Sequence, residues 1–336
     1  MESTQNLKRR IRSVQNIGQI TKAMELVAAT KMRRAQELAL NSRPYAYTAL
    51  EIMGVIARLN QSEDGGNNNM AMPTLLQERP IEKTAFLIVT SDKGLAGSFN
   101  GSVFRKFEKY IRENNIDLNE HTASGEPKYS FIAVGQKSKS YLEHRGHAVM
   151  QSFLRAGDFT RIEEVSPIME TLIDGYLGHE ATPDHIAAAP QFDEVIAFST
   201  NFITALRQEV SARQILPISF EKIKESIELL VPEAGRFSQY LVVDSVAEDK
   251  DVEYIIEPSS AEVLTSLSCE LLKIRIYHMI LEANASEHSA RRVAMKSASD
   301  NASELSTDLN IVYNKSRQAA ITNQIIEVTS GAQGMG

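Results

Sequence analysis

The chain has 336 residues, of which 43% are hydrophobic and 24% charged, and its formal net charge is −7. This composition is typical of soluble globular protein with one large or two ordinary domains. Because no window approaches 18 consecutive apolar residues and the N-terminus is charged, we expect neither a membrane-spanning helix nor a secretory signal peptide.

Charge is distributed unevenly along the chain. The first 40 residues carry eight basic and three acidic side chains, a balance of +5, so the remaining residues carry −12. A basic helix on an acidic body indicates an acidic protein surface as its partner. Nucleic acid is the weaker alternative, because the net charge is negative and no aromatic residue occurs among the first 44.

The N-terminal segment predicts a coiled-coil helix that begins at Thr4 and ends near Asn60. We expect Pro44 to be a kink or the first residue of a continuing segment. The Arg-rich start resembles a transit peptide, but an unbroken apolar period favours a helix retained in the mature protein. The predicted seam comprises Leu7, Ile11, Val14, Gly18, Thr21, Ala28, Met32, Ala35 and Ala39, widened by Ile17, Ile20, Met24 and Val27.

The middle of the chain predicts an α/β domain. Residues 61–80 are rich in Asn, Gly and Pro and predict an exposed loop. Buried strands that alternate with helices indicate a mostly parallel sheet with helices on its faces, here with antiparallel strands at its edge. The predicted strands are 84–90, 130–134, 147–154, 194–199, 209–217, 240–244 and 253–256, and the predicted helices are 102–114, 137–145 and 160–177.

The last 78 residues predict one very long helix. Pro258 precedes it, Ser259 and Glu262 form a capping-box pattern that satisfies free backbone N–H groups, and no glycine follows until Gly331. A helix from 259 to 329 would be about 105 Å long, too long for a small domain to bury. Its predicted seam comprises Leu264, Leu267, Leu271, Ile274, His278, Leu281, Ala285, Ala294, Ala298, Ala302, Leu305, Leu309, Val312 and Ala319.

The two terminal helices pair most simply as an antiparallel coiled coil. Beyond Arg317 only Glu327 is charged, so we expect residues 319–328 to lie inside a sleeve formed by other subunits. We expect the last six residues to fray. The single cysteine, Cys269, excludes an intramolecular disulfide, and we expect it to be buried.

The sequence contains no recognisable active site. Gly94, Gly97 and Gly101 follow a strand, but their spacing matches neither a dinucleotide fingerprint nor a P-loop, so a structural turn is favoured over phosphate binding. The histidines lack the spacing of a metal pair, and we expect His278 and His288 to be packed or solvated. A nucleotide-dependent enzyme with a coiled-coil arm and a nucleic-acid scaffold are therefore the weaker alternatives.

Three segments together resemble the gamma subunit of F-type ATP synthase, the rotating central shaft. They are LKRRIRSVQNIGQITKAMELVAATKMRRAQ near the N-terminus, SDKGLAGSFN in the middle and SEHSARRVAMKSASDNASELSTDLNIVYNKSRQAAITNQIIEV near the C-terminus. The resemblance implies a coiled coil formed by residues 1–60 and 259–336, joined through a loop at 61–80 to a Rossmann-like α/β domain at 81–258.

The resemblance also implies partners and a location. The coil would enter a ring of three alpha and three beta subunits, and the α/β domain would rest near the membrane c-ring and the epsilon-type subunit. ATP would be made on the beta subunits, so the chain itself would be non-catalytic and hold no cofactor or metal. Ala96 stands where many members have cysteine, and a bacterial source is favoured, on the cytoplasmic face of the inner membrane.

Coupling contacts are carried over from the family by position. On the first helix, Lys22 and Met24 match the region that meets the acidic lever of a beta subunit, while an ordinary solvated coil face is the alternative for each basic residue. On the last helix, three residues match the region that engages a beta-subunit loop. The full set is Lys8, Arg9, Arg10, Arg12, Lys22, Met24, Arg33, Arg34, Arg317, Gln318 and Thr322.

Overall fold

The computed structural model describes most of the chain. The described residues are 4–42, 74–77, 79–156, 161–178, 190–218 and 256–333, together with Pro44, Tyr45, Thr48, Ala49, Ile52 and Ile56. They form two compact units, one of Met1–Lys31, Leu95–Gly97 and His288–Gly336, the other of Met32–Gly94 and Ser98–Glu287. We call these the coil unit and the α/β unit. The proposed domain bounds stay a prediction.

Helices and strands alternate between two long terminal helices. The helices are α1 (Thr4–Asn41), α2 (Phe99–Glu113), α3 (Gln136–His144), α4 (Ser166–Leu177) and α5 (Ser260–Gln333). The strands are β1 (Thr84–Val89), β2 (Tyr129–Val134), β3 (Val149–Phe153), β4 (Glu194–Phe202) and β5 (Gln208–Leu216). Short 3-10 turns occur at Thr74–Leu76 and Ile162–Val165. No described helix has a stretch apolar and long enough to cross a bilayer.

The central sheet confirms the predicted topology. Its strand order is β3-β2-β1-β4-β5, in which β1 pairs in parallel with β2 and β4, β2 pairs in parallel with β3, and β5 runs antiparallel to β4. Every residue of β1 is buried, as expected for a strand covered on both faces. The predicted strands at 240–244 and 253–255 lie outside the described residues.

An aromatic cluster packs α2 against the sheet. Phe86 and Phe107 meet edge to face with ring centroids 5.6 Å apart, and Phe107 meets Phe198 in the same way at 5.1 Å. Val103 and Leu142 are fully buried in this cluster and bring α2 and α3 onto one face of the sheet. The helical spacing of Phe99, Val103 and Phe107 on α2 explains why this side faces the sheet.

Both terminal helices differ from their predicted bounds. Helix α1 ends at Asn41 rather than near Asn60, although Pro44 and the other described residues up to Ile56 are helical. Proline restricts the residue before it away from helical geometry, which favours a break at this point. Helix α5 reaches Gln333, so fraying does not begin at Gly331, and residues 334–336 lie outside the described part.

The N-terminus of α5 is capped by the Ser259 hydroxyl as predicted, but the Glu262 carboxylate bonds to that hydroxyl instead of to a backbone N–H. The Glu262 backbone N–H donates to Ser259 Oγ at 3.3 Å, as a capping box requires. The Ser259 hydroxyl in turn donates to Glu262 Oε1 at 3.1 Å, so this carboxylate binds the capping side chain. Glu262 therefore orients the Ser259 hydroxyl so that its oxygen accepts from the Glu262 backbone N–H.

The end of the predicted exposed loop packs onto the α/β unit. Leu75 and Leu76 are buried, and Leu75 O accepts a hydrogen bond from Ile218 N at 2.8 Å. Arg79 Nη2 donates to Tyr176 O at 2.8 Å, and its guanidinium lies 4.2 Å from the Tyr176 ring centroid. The prediction of an exposed loop was wrong for Leu75 and Leu76, because two adjacent leucines supply an apolar contact. Residues 61–73 lie outside the described part.

Three further expectations concern single side chains on α5. Cys269 is half-buried rather than buried, and burial raises the pKa of its thiol. His278 and His288 are both buried, which confirms that they are packed positions. His278 Nε2 lies 3.0 Å from Ser42 Oγ, at the C-terminal end of α1. The α1 and α5 helices are therefore in contact within the α/β unit.

Gly135 and Gly146 provide a matched pair of substitutions. Both have positive φ, +92° and +80°, but a Cβ on Gly135 would lie 2.2 Å from Thr90 O, whereas nothing lies within 4 Å of one on Gly146. We expect Gly146→Ala to lose about 1 kcal/mol of unfolding free energy through backbone strain alone. Gly135→Ala should lose at least about 3 kcal/mol, because strand β1 must also move.

Urea unfolding of the full chain measures both losses. The native chain and the Gly146→Ala variant serve as references for the change in midpoint. Equal losses for the two alanine variants would contradict the close approach of Gly135 to the β1 backbone.

Candidate functional site: the paired terminal helices

The coil unit contains an antiparallel contact between the two terminal helices. Leu7 and Ile11 of α1 are buried against Leu309 of α5, with Val14 and Tyr313 packed around them. Successive apolar residues three and four positions apart on each helix place these side chains on one face. This contact confirms the predicted pairing at the start of α1.

Small residues let the two helices approach closely at Gly18 of α1 and Ala302 of α5. A Cβ on Gly18 would lie 3.4 Å from the Ala302 Cβ, and Ser299 Oγ donates to Gly18 O at 3.4 Å. As the residue number rises along α1, the number of its partner on α5 falls, so the pair is antiparallel. Larger side chains at either position would force the backbones apart.

A buried carboxylate lies among basic side chains further along the same seam. Glu25 is 8% exposed and accepts a hydrogen bond from Lys22 Nζ at 2.8 Å. This hydrogen bond lowers the pKa of the Glu25 carboxyl, and the charges of Lys22, Lys296 and Arg292 lower it further against the opposing effect of burial. Glu25 is therefore ionised at neutral pH and is held between basic residues of both helices.

A second apolar line on α1 is left uncovered. Ile17, Ile20 and Val27 are 51%, 59% and 57% exposed, and Met24, which lies between them, is half-buried. The prediction that these residues widen the seam was wrong for the three exposed ones. A helix that pairs with one partner buries one line of residues, which here runs through Ile11 and Gly18. The exposed line is offset from it around the helix. We call Ile17, Ile20, Met24 and Val27 the outer apolar line.

The predicted seam of α5 is confirmed in its first half and partly wrong in its second. From Leu264 to Ala285 the predicted residues are buried, apart from half-buried Leu267. Leu305 and Val312 are instead about half exposed and Ala319 is exposed, while Ser306 and Tyr313 are partly buried beside Leu309. The coil contact selects positions by their place on the helix, and at two of these positions the sequence has a polar or aromatic residue.

Helix α5 continues well beyond its last contact with α1. Helix α1 begins at Thr4, and its first buried side chain, Leu7, already contacts Leu309. Beyond Tyr313 the described side chains of α5 are exposed, apart from half-buried Ser316. The exposed apolar residues there are Ile321, Ile325, Ile326 and Val328, the last with 72% of its surface accessible. We call residues 314–330 the tip.

The residues predicted as coupling contacts from their position in the family lie on α1 and on the tip. The basic positions of α1 are all exposed, as are the three positions of the tip. They are Lys8, Arg9, Arg10, Arg12, Lys22, Arg33 and Arg34 on α1, and Arg317, Gln318 and Thr322 on the tip. Arg33 and Arg34 belong to the α/β unit and the others to the coil unit. Sequence reasoning missed the exposure of the outer apolar line, although its separate spacing of three and four residues was a usable signal.

The glycine-containing loop after β1 forms an internally bonded turn. Asn100 Oδ1 accepts a hydrogen bond from Ser91 N at 3.0 Å, and Asp92 Oδ1 accepts one from Gln136 N at 3.1 Å. Gly97 has a φ of +57°, and a Cβ there would lie 3.8 Å from both Ala290 O and the Ala294 Cβ. These contacts agree with the structural interpretation of the loop. Among the described residues, no group of His, Cys, Asp and Glu is arranged to hold a metal ion.

Known proteins resemble this chain over its full length. A family model described as ATP synthase matches residues 3–335. The ATP synthase gamma chain of Roseiflexus castenholzii is 35% identical over 333 residues, covering 99% of this chain and 98% of that one. The gamma chain of Trichlorobacter lovleyi is 34% identical, with 99% of each chain covered.

Solved structures resemble the fold. A chain of the Euglena gracilis mitochondrial ATP synthase superposes with a TM-score of 0.56 at 15% identity, covering 99% of this chain and 94% of that one. A central-stalk and c-ring structure from Tetrahymena thermophila mitochondrial ATP synthase gives 0.51 at 20% identity, covering 83% and 99%. The match of the family model and of the gamma chains extends over both terminal helices and the sheet between them, and the chain belongs to the ATP synthase gamma chain family.

Proposed function

We propose that this chain is the central-stalk rotor of an F-type ATP synthase and transmits torque between a membrane ion-driven ring and the catalytic beta subunits. The observation that carries the proposal is the tip, a helix that continues past its last coil contact with Ile321, Ile325, Ile326 and Val328 exposed. An apolar surface of this kind requires a cover. A sleeve formed by the surrounding ring of alpha and beta subunits supplies one that also permits rotation.

Torque transmission requires a shaft with two different properties. The paired part resists bending and twisting because Leu7, Ile11 and Leu309 join two helices side by side. The shaft must also present different surfaces in different directions, since it biases a beta subunit only where one face fits one conformation better than another. On α1 the outer apolar line and the exposed basic residues meet this requirement, because they lie on the side not used for pairing.

The coupling contacts are assigned by position in the family, and all of these groups except half-buried Met24 are exposed. We assign Lys22 and Met24, with Arg33 and Arg34 continuing that face, to the contact with the acidic lever of a beta subunit. Lys8, Arg9, Arg10 and Arg12 form the basic start of the same helix. Arg317, Gln318 and Thr322 on the tip engage a beta-subunit loop. Guanidinium and ammonium groups that meet carboxylates across a moving interface give selectivity and fast engagement more than permanent affinity. Such contacts suit a part that must release at every step.

The remaining assignments follow from the same role. The chain is a non-catalytic subunit, with ATP made on the beta subunits. Its α/β unit rests near an epsilon-type subunit and the c-ring, and the chain is a peripheral protein on the cytoplasmic face of a bacterial inner membrane. The gamma chains of bacteria at 33–35% identity support this location.

Removal of most of the tip distinguishes a role in torque transmission from a role in folding. Deleting residues 319–336 leaves the contact of Leu7 and Ile11 with Leu309 intact, so the thermal transition of the α/β unit should be unchanged. The torque of the assembled complex should fall, because the segment held by the sleeve is gone. Rotation of a bead attached to the shaft measures the torque.

Deletion of only residues 334–336 is the matched control and should leave torque unchanged. If the longer deletion abolished the thermal transition of the α/β unit, or left the torque intact, a sleeve around the tip would be ruled out.

A charge on the outer apolar line tests the contact with the beta subunit. Met24→Lys places an ammonium beside the acidic lever, and the added attraction should hold the shaft too firmly. Synthesis driven by ion transport should therefore fall more than ATP hydrolysis. Both rates can be measured on the complex reconstituted in vesicles.

Met24→Leu keeps the apolar character and similar volume, so it should leave both rates near those of the native complex. Undiminished synthesis and hydrolysis in the Met24→Lys complex would remove Met24 from the coupling contacts.

A further inference from the structure

A groove in the α/β unit shares no residue with the coil contact, the outer apolar line or the tip. It opens between α2 and α3 and has a volume of about 290 Å³. Phe107, Ile111 and Leu118 form its apolar floor, with Phe107 buried and the other two packed on the same aromatic cluster. Small-molecule sites have volumes from roughly 300 Å³ upward, so this groove suits a ligand of fragment size.

One wall of the groove is held rigidly by a shared carboxylate. Glu108 Oε1 accepts a hydrogen bond from the Tyr141 hydroxyl at 2.7 Å and another from Arg145 Nη2. The Arg145 guanidinium lies 5.3 Å from the Tyr141 ring centroid, and Tyr141 stacks on Phe104 with centroids 4.0 Å apart. Burial and the hydrogen bond to Glu108 raise the pKa of Tyr141, so its hydroxyl keeps its proton and remains a donor. The wall is therefore preorganised, and the Glu108 charge is already balanced by Arg145.

The other polar groups of the groove leave a net positive charge. Arg112 donates through Nε to the Glu108 backbone oxygen at 3.3 Å, and no carboxylate in the described part of the chain pairs with it. The His147 ring packs 4.9 Å from the Phe131 ring, and burial together with the charge of Arg145 lowers its pKa. His147 is thus neutral at neutral pH. With Glu108 and Arg145 balanced, Arg112 supplies the uncompensated charge.

We propose that this groove binds a small aromatic monocarboxylate, with its ring on Ile111 and Leu118 and its carboxylate on Arg112. A guanidinium pairs with a carboxylate through two parallel hydrogen bonds, which fixes the direction of the ligand. A neutral aromatic would cover the Arg112 side of the groove without pairing its charge, and a cation would be repelled. A doubly charged anion would exceed the single free charge of the lining.

Phenylacetate is the probe that tests this assignment. Titrated into the full chain at neutral pH, it should cause saturable shifts of the methyl NMR signals of Ile111 and Leu118, which line the groove. The neutral analogue 2-phenylethanol has the same ring but no charge, so it should bind about tenfold more weakly, equivalent to about 1.4 kcal/mol. This comparison uses the native chain and does not depend on any variant folding.

A pair of arginine variants on the same helix locates the carboxylate. Arg112→Gln removes the free charge at an exposed position and should weaken phenylacetate binding about tenfold. Arg105→Gln is the matched control, because Arg105 is also exposed on α2, donates to Ser102 Oγ at 2.9 Å and does not line the groove. Its affinity for phenylacetate should equal that of the native chain.

Three results would overturn the proposal. The first is the absence of a saturable shift up to the solubility of phenylacetate. The second is equal affinity of the Arg112→Gln and Arg105→Gln variants. The third is loss of binding when the chain is assembled into the ATP synthase complex, which would show that a neighbouring subunit occupies the groove. Failure of the groove proposal would leave the rotor proposal intact, because the two rest on different surfaces.

Discussion

The close antiparallel contact of α1 with α5 is the constraint on which the surfaces of the coil unit depend. It requires small residues where the backbones approach, and Gly18 facing Ala302 meets this requirement, with their Cβ positions 3.4 Å apart. It requires apolar residues at the end of the coil, where Leu7 and Ile11 cover Leu309. It also brings the buried carboxylate of Glu25 near Lys296 and Arg292, so the one acidic residue in this part of the seam is matched by basic ones.

The apolar surfaces available to partners are those that the contact between α1 and α5 does not bury. Helix α1 carries two apolar lines, and pairing with a single helix buries one, so Ile17, Ile20 and Val27 stay accessible. Helix α5 is longer than α1 and extends past Tyr313, its last residue packed in the coil contact, so the described side chains of the tip stay largely exposed. In an isolated chain both surfaces would favour association with other apolar groups. Under the proposed function, a ring of subunits would hold the shaft at the tip and be acted on by the outer apolar line.

The α/β unit shows a different principle, in which buried aromatic residues define the structure and charged residues line its surface. Phe86, Phe107 and Phe198 lock α2 onto the sheet. That packing also brings the Glu108 carboxylate of α2 within hydrogen-bond distance of the Tyr141 hydroxyl of α3, and Arg112 lines the same groove. The groove is therefore a direct result of how two helices cover one face of the sheet, and its chemistry is independent of the coil.

The sequence by itself determined the helix periods, the parallel strands and the presence of two long terminal helices, because these depend on local spacing of apolar residues and on the placement of proline and glycine. It also predicted the antiparallel pairing, which follows from two seams at opposite ends of one chain. Only the tertiary structure decided which apolar line of α1 is covered and that Leu305 and Val312 face outward while Leu309 is buried. The physical reason is that periodicity identifies the faces of a helix, whereas burial depends on which face a partner reaches. The same holds for Glu108, Tyr141 and Arg145, which only the packing of two helices on the sheet brings together.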